Sequence, residues 1–393
     1  MYDAVLVRYG EIGLKGDNRS FFESILLRNM RRALQTIDHA DVYIDSGRIL
    51  VKVTNNENEI MSRLSRVFGI VSMSPVIKVD ADMDQFFDVG KQLLENAVDA
   101  KTLRVDCRRA DKRFPITSPE VCRILGARFL EALPGFRVDL HKPDINVHVE
   151  IRSGNSLIFS DTIPGPGGMP VGCSGNGLLL LSGGLDSPVA GWMSMKRGIK
   201  ISAIHFFSYP YTGERSKKKV VDLAEKISVY NQGSMRLFVV NFTSIQDEIR
   251  KHCPEEYRVT IMRRMMLRIA EQAAQKDGAK VLLTGESVGQ VASQTIESMS
   301  VISQSCSMLQ LKPLACMDKV EIMDKARQIG TYDISILPFE DCCSLFLPRH
   351  PATKPNLNSV VKAEAGVDWN VFIDIAVREV EIIKITSPQE YND

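Results

Sequence analysis

The sequence predicts an α/β protein: a doubly wound parallel sheet in the C-terminal half, preceded by two small α+β domains. Three observations carry this. Residues 178–181 are four consecutive leucines, the pattern of a strand covered on both faces. From there to about residue 284, apolar strands and amphipathic helices alternate in regular turn, as βαβ units do. Upstream, short helices and strands are mixed and end at a stretch that suits neither.

That stretch, residues 163–177, reads IPGPGGMPVGCSGNG, with six glycines and three prolines in 15 residues. It reads as an interdomain linker over 166–177, because proline removes ladder donors and glycine weakens both helix and strand. Before it, residues 4–8 read as a strand, 21–36 as an amphipathic helix and 48–54 as an alternating strand. Residues 59–68 are helical, 74–79 extended, 83–98 helical and 102–108 a strand. Ser118 is expected to cap a helix to about residue 132, with Pro119 in its first position. Residues 145–151 and 156–162 form a hairpin about Ser153-Gly154-Asn155. The expected domains are therefore 1–60, 61–165 and, past the linker, 178–393. After the leucine strand comes a helix over 188–197 that stops at Gly198. A strand over 199–207, a helix over 216–230 and a strand over 235–242 follow, then a long helix over 256–276 and a strand over 279–284.

The 393 residues include 49 basic and 48 acidic side chains, a net charge of +1, with 44% hydrophobic and 25% charged residues. This excludes bulk disorder and collagen-like repeats and argues against a uniformly basic nucleic-acid coat. No apolar run approaches the roughly 18 residues of a membrane span. The opening MYDAVLVRYGEIG carries an acid at Asp3 and reads as a strand rather than a secretory leader. Eight cysteines are far below the density of a secreted disulfide scaffold. The expectation is a cytoplasmic protein with reduced thiols. An average hides patches, however: residues 101–137 hold nine basic against four acidic side chains, and Lys217, Lys218 and Lys219 form a shorter cluster.

Ser182-Gly183-Gly184-Leu185-Asp186-Ser187 lies between the leucine strand and the next helix. The glycines allow close backbone approach to a phosphate; the helix offers unpaired N–H groups and the serines add hydroxyl donors. The lysine of a GxxxxGK[ST] loop is missing, so the motif is not built to cradle a transferable γ-phosphate. It matches the SGGxDS loop of ATP pyrophosphatases, which cleave ATP between the α- and β-phosphates and adenylate an acceptor oxygen. A carboxylate facing phosphates needs a cation, so Asp186 reads as a magnesium or pyrophosphate-site residue. Arg263 and Lys319 are candidates to steady developing charge.

VRYGEIGLKG, SGGLDSPVAGWM and LPFEDCCSLFLPRHPATKP, taken together and in this order, resemble the tRNA uridine 4-sulfurtransferase (ThiI) family over essentially the whole chain. The resemblance implies a ferredoxin-like domain, a THUMP domain for RNA and a PP-loop pyrophosphatase domain. Such enzymes adenylate a uridine of tRNA at its C4 oxygen with Mg-ATP, and persulfide sulfur replaces the AMP to give 4-thiouridine. Some members also feed sulfur to thiamine biosynthesis. The family's nucleotide pocket carries over to Leu180, Leu181, Ser182, Gly183, Gly184, Ser187, His205, Phe206, Arg263, Gly285 and Gln294. Lys319 matches a lysine that assists catalysis. A THUMP domain places the basic stretch on RNA, making Arg108, Arg109, Lys112 and Arg113 candidate phosphate contacts.

Sulfur transfer needs an accessible thiol of lowered pKa. Cys342 and Cys343 stand near Arg349 and His350, and the resemblance implies that one of the pair handles sulfur. Longer members carry a C-terminal rhodanese domain; this chain ends at Asp393, which implies a separate persulfide donor such as a cysteine desulfurase or rhodanese protein. No Cys-x-x-Cys occurs, so no iron–sulfur cluster is expected. A homodimer sharing one tRNA is compatible with the family. Two other readings compete: another ATP pyrophosphatase acting on RNA or a small molecule, and a tRNA-binding protein that has lost catalysis.

Overall fold

The computed structural model describes residues 2–45, 47–339 and 351–387. Cys342, Cys343, Arg349 and His350 lie outside them. The chain divides into two compact units, one ending at Gly168 and the other beginning at Met169.

The first unit opens with β1 (Ala4–Tyr9), α1 (Arg19–Ala33), β2 (Val42–Asp45), β3 (Arg48–Lys52), α2 (Glu57–Leu64) and β4 (Ile70–Val79). This is the βαββαβ order of a ferredoxin-like fold. It continues with α3 (Met83–Asn96), β5 (Thr102–Arg109), α4 (Ser118–Ala132), β6 (Arg137–Val138), β7 (Ile145–Ile151), β8 (Ser156–Phe159) and β9 (Ile163–Pro164). The two α+β pieces share one sheet, ordered β2-β3-β1-β4-β8-β7-β5-β6, with β9 on β4. The join is β4, ten residues long, which pairs with β1 over its first part and with β8 over Ile77–Val79. Side chains of alternate strand positions feed separate cores. Val5 and Val7 pack with Leu26 and Met30 of α1, whereas Ala4 and Leu6 pack with Leu50, Leu157 and Phe159.

The helix over 118–132 is capped one residue earlier than its sequence suggests. Thr117, not Ser118, is the N-cap, in a reciprocal capping box with Glu120. The spacing decides this, because the acid must stand three residues after the cap. The Gly/Pro stretch is ordered at both ends: Gly167 N–H donates to Ile70 O within the first unit, and Met169 N–H to Lys196 O within the second.

The second unit alternates β10 (Asn176–Leu180), α5 (Asp186–Lys196), β11 (Lys200–Phe207), α6 (Glu214–Ser228), β12 (Ser234–Asn241), α7 (Thr243–His252), α8 (Arg258–Asp277) and β13 (Val281–Leu283). It ends with α9 (Ile296–Ser303), β14 (Leu309–Leu311), α10 (Lys319–Gln328), α11 (Tyr332–Ser335), α12 (Leu357–Glu364), α13 (Trp369–Arg378) and β15 (Glu381–Thr386). The sheet order is β14-β13-β10-β11-β12-β15, parallel except for the edge strand β15, which runs antiparallel to β12. One sheet face packs Leu178, Ile204, Phe206 and Val240 against Ile261, Met265 and Ile269 of α8 and Ile373 of α13. Strand order reverses between β10 and β13, so their carboxyl ends diverge into a crevice, where doubly wound sheets bind ligands.

Candidate active site

A cleft of about 270 Å³ occupies that crevice. Its walls come from the ends of β10 (Leu180, Leu181) and β11 (Ile204, His205, Phe206), and from the loops after β10 and β13. α8 closes one side with Arg263, Met266 and Leu267. The structure thus brings Leu180, Leu181, Ser182, Asp186, Ser187, His205, Phe206, Arg263, Gly285 and Gln294 to one cavity; Gly183 and Gly184 complete the same loop.

The loop is shaped from within. Ser182 N–H donates to Ser187 Oγ at 2.9 Å, Gly184 N–H to Ser182 Oγ at 3.2 Å, and Ser187 Oγ to Ser182 O at 3.3 Å. Hydroxyls of its first and last residues therefore hold the turn open at the start of α5, whose first-turn amides and dipole favour an anion. Gly285 makes this packing feasible, since a Cβ there would lie 2.7 Å from Ser187 N and 2.8 Å from Asp186 C.

Asp186 stands in the first turn of α5. Its Oδ1 accepts from Lys319 Nζ at 2.8 Å and its Oδ2 from Gln290 Nε2 at 2.8 Å. Lys319 is placed by its own helix start, because Asp318 and Glu321 form a capping box that fixes the first turn of α10. A cation at a helix N-terminus opposes the dipole; the Asp186 carboxylate offsets that.

His205 and Phe206 are both core and wall. His205 is 3% exposed, with Nδ1 3.1 Å from Leu181 O, and the Phe206 ring meets Phe242 edge-on at 5.3 Å. Gln294 Oε1 is buried with no hydrogen-bond partner among the described residues. Sequence reasoning missed Thr284, Glu286, Gln290 and Lys312. Glu286 accepts from Arg263 Nη1 at 2.9 Å and from Lys312 Nζ at 2.6 Å. Glu286 was legible only as a neighbour of Gly285 in TGES, while Gln290 and Lys312 meet their partners through long-range packing.

In the first unit the basic candidates separate by what they hold. Arg109 Nη1 donates to Phe114 O at 2.7 Å and Ile116 O at 3.1 Å, tying down the loop before α4. Arg113 is paired with Asp111 at 2.7 Å, and that guanidinium pulls the half-buried carboxyl down to about 2. Arg108 and Lys112 are exposed. Outside 101–137, in the same unit, Arg48 and Arg152 converge on Glu150 from β3 and the end of β7, at 3.2 and 3.6 Å. Flat-sheet geometry would separate β3 and β7, four strands apart, by about 19 Å, so the sheet coils across this face.

A Gly-rich turn into a helix N-terminus at the switch point of a doubly wound sheet, with Asp186, Lys319 and Arg263 gathered about it, defines a nucleotide-binding α/β domain of the ATP-pyrophosphatase class. Residues 172–369 match the family described as "Thiamine biosynthesis protein (ThiI)", residues 4–74 the ThiI ferredoxin-like domain, and residues 80–161 the THUMP domain. A probable tRNA sulfurtransferase of Moorella thermoacetica is 50% identical over 385 residues, 98% of each chain. Another, of Brevibacillus brevis, is 50% identical over 392 residues, 99% of this chain and 98% of that one. A solved structure described as a 4-thiouridine synthetase–RNA complex with bound ATP superposes with a TM-score of 0.90 at 36% identity, covering 98% of this chain and all of that one. The chain belongs to the ThiI family.

Proposed function

We propose that this chain is an ATP-dependent tRNA sulfurtransferase that converts a uridine of tRNA to 4-thiouridine. The observation that carries the reading is the switch-point cleft walled by Ser182–Ser187, in a chain that aligns end to end with the sulfurtransferases and with the ATP-bound synthetase.

Leu180, Leu181, His205 and Phe206 take the adenine, Gly285 lets the ligand approach the backbone, and Gln294 Oε1 accepts from a base N–H. Ser182, Gly183, Gly184 and Ser187 hold the β- and γ-phosphates, with Arg263 and Lys319 supplying positive charge where it develops. The uridine C4 oxygen attacks the α-phosphorus and pyrophosphate leaves. The terminal sulfur of a cysteine persulfide then attacks C4, and AMP leaves with the former C4 oxygen. Attack of a second thiol on the resulting disulfide leaves sulfur on the base and a disulfide between the two thiols, which a cellular thiol reductant opens. Cys342 or Cys343 supplies one of these thiols.

Magnesium fits the donor set. Asp186 offers one carboxylate at the cleft, and Mg²⁺ is usually held by one or two carboxylates together with phosphate oxygens and water; there it would neutralise phosphate charge. No iron–sulfur cluster belongs to this reading. Arg108, Arg109, Lys112 and Arg113 face tRNA phosphates, with Arg109 and Arg113 already committed within the domain, so Arg108 and Lys112 carry most of the contact. A separate desulfurase or rhodanese protein delivers the persulfide, and a homodimer shares one tRNA; a light-scattering mass of one chain with tRNA bound would remove the dimer. Among the described residues no helix is long and apolar enough to cross a membrane, and a tRNA substrate places the reaction in the cytoplasm. Sulfur supply to thiamine is read out by thiamine requirement in a deletion strain.

The test is AMP and pyrophosphate release from Mg-ATP with and without unmodified tRNA, followed by nucleoside analysis after adding a persulfide donor. Release that needs tRNA, with 4-thiouridine formed, supports the reading; ATP cleavage with no thiolated nucleoside moves the substrate elsewhere. Asp186→Ala should stop pyrophosphate release with tRNA affinity retained. Replacing both Cys342 and Cys343 by Ser should leave adenylation intact and stop sulfur transfer.

A further inference from the structure

Glu286 lines the cleft, is 8% exposed, and takes three donors. Arg263 Nη1 reaches Oε1 at 2.9 Å, while Lys312 Nζ at 2.6 Å and Thr284 Oγ1 at 3.1 Å reach Oε2. A carboxylate this buried is costly unless it is paired and hydrogen-bonded, and here it is both. Lys312 also donates to Ser303 Oγ at 3.2 Å, which fixes the lysine on the side of α9. Arg263 opens to the cleft, with its side chain 23% exposed.

We propose that Glu286 is a positioning residue for the nucleotide: it holds the Arg263 guanidinium by one terminal nitrogen so that the remaining N–H groups face a phosphate or ribose oxygen. The proposal rests on the reading of the cleft as an ATP site. A guanidinium carries five donors in a fixed plane. Fixing one of them sets the direction of the rest and removes in advance the cost of ordering a long side chain on binding. Lys312 and Thr284 share the other carboxylate oxygen, so Glu286 cannot swing towards the ligand without breaking two further contacts. Two cations on one carboxylate leave the group net positive, the sign a triphosphate requires.

The experiment is calorimetric titration of the full chain with Mg-ATP, using Glu286→Gln, Arg263→Ala and the double variant, each checked by its melting curve. Each single change should weaken ATP about tenfold, the worth of roughly one charge-assisted hydrogen bond. The double variant should bind no more weakly than Arg263→Ala alone, because both changes remove the same contact. Losses that instead multiply to about a hundredfold would show that Glu286 acts apart from Arg263 and overturn the proposal. If Glu286→Gln does not fold, the same cycle in a Lys312→Met background removes the lysine left unpaired and gives the same two outcomes. A wild-type chain without ATP affinity would overturn the reading of the cleft and this inference with it, whereas wild-type binding with multiplying losses overturns the inference alone.

Discussion

Gly285→Ala isolates the closest packing in the site. The added Cβ would lie 2.7 Å from Ser187 N, 2.8 Å from Asp186 C and 2.9 Å from Ser187 Cα. All three are backbone atoms of the first turn of α5, so no side chain can rotate away. Reaching a van der Waals separation of about 3.5 Å requires the Thr284–Glu286 backbone and the start of α5 to part by roughly 0.6–0.8 Å. Overpacking of this kind costs about 1–3 kcal/mol. In a unit the size of the C-terminal one, each kcal/mol shifts Tm by roughly 2–4 °C, so a fall of about 2–12 °C is expected. The function should suffer more than the fold. Displacing groups by nearly 1 Å at a reacting centre costs about a hundredfold, to be read as kcat/KM for tRNA-dependent pyrophosphate release. Gly366→Ala is the control, because its Cβ would meet nothing within 4 Å. Wild-type Tm and wild-type release from Gly285→Ala would refute the argument that the β13 loop and α5 define the site by direct backbone contact.

Three further predictions rest on separate features. Charge reversal at Arg108 and Lys112 should weaken tRNA binding and flatten its salt dependence by about one to two phosphate contacts, measured by filter binding across a salt series; an unchanged slope places the RNA surface elsewhere. Arg264, 5% exposed, pairs with Glu364 and donates to Val301 O at 2.6 Å. Glu364→Ala should therefore destabilise by about 3–5 kcal/mol, with much of the loss recovered by adding Arg264→Met; denaturant melts of the three variants decide. Burial pushes the Cys107 and Cys253 thiols up to about 11. The folded pKa exceeds the unfolded value of about 8.5, so the folded chain holds these protons longer. Their contribution to stability is complete below about pH 8.5 and is lost as pH rises towards 11, visible as a falling Tm across that range. Iodoacetamide at pH 8 should label the exposed Cys316 before either of them, read by peptide mass mapping.

What was legible in the sequence was what depends on neighbours in the chain. The leucine strand declared itself because a strand buried on both faces leaves an unbroken apolar run. Ser182–Ser187 did so because the anion-ready turn is built within six contiguous residues. Thr117 and Ser118 are both hydroxyl caps, and only the three-residue reach to Glu120 separates them. What escaped detection is long-range. β15 joins the sheet by pairing with β12 across more than a hundred residues, and an edge strand of EIIKIT carries no mark of its partner. The common sheet of the first unit was hidden for the same reason, since β4 must be extended at both ends to join β1 to β8.

The site shows the same division at the scale of single atoms. Resemblance singled out Asp186, Arg263 and Lys319, but the residues that aim them were not visible. Gln290 reaches Asp186 from the β13 loop, and Glu286 reaches Arg263 from the same loop. That loop therefore holds both charged groups, while Gly285 at its start sets how closely it approaches α5. A lysine beginning α10 opposes the helix dipole, and a buried carboxylate such as Glu286 is costly without a cation beside it. Together with the N-terminus of α5, Lys319 and Arg263 bring positive charge to one cavity, and Asp186 and Glu286 each pair with one of them. Pairing with Asp186 and Glu286 meets that cost within the protein, and under the proposed function a triphosphate would enter a site whose charges are already ordered, which is what electrostatic preorganisation requires.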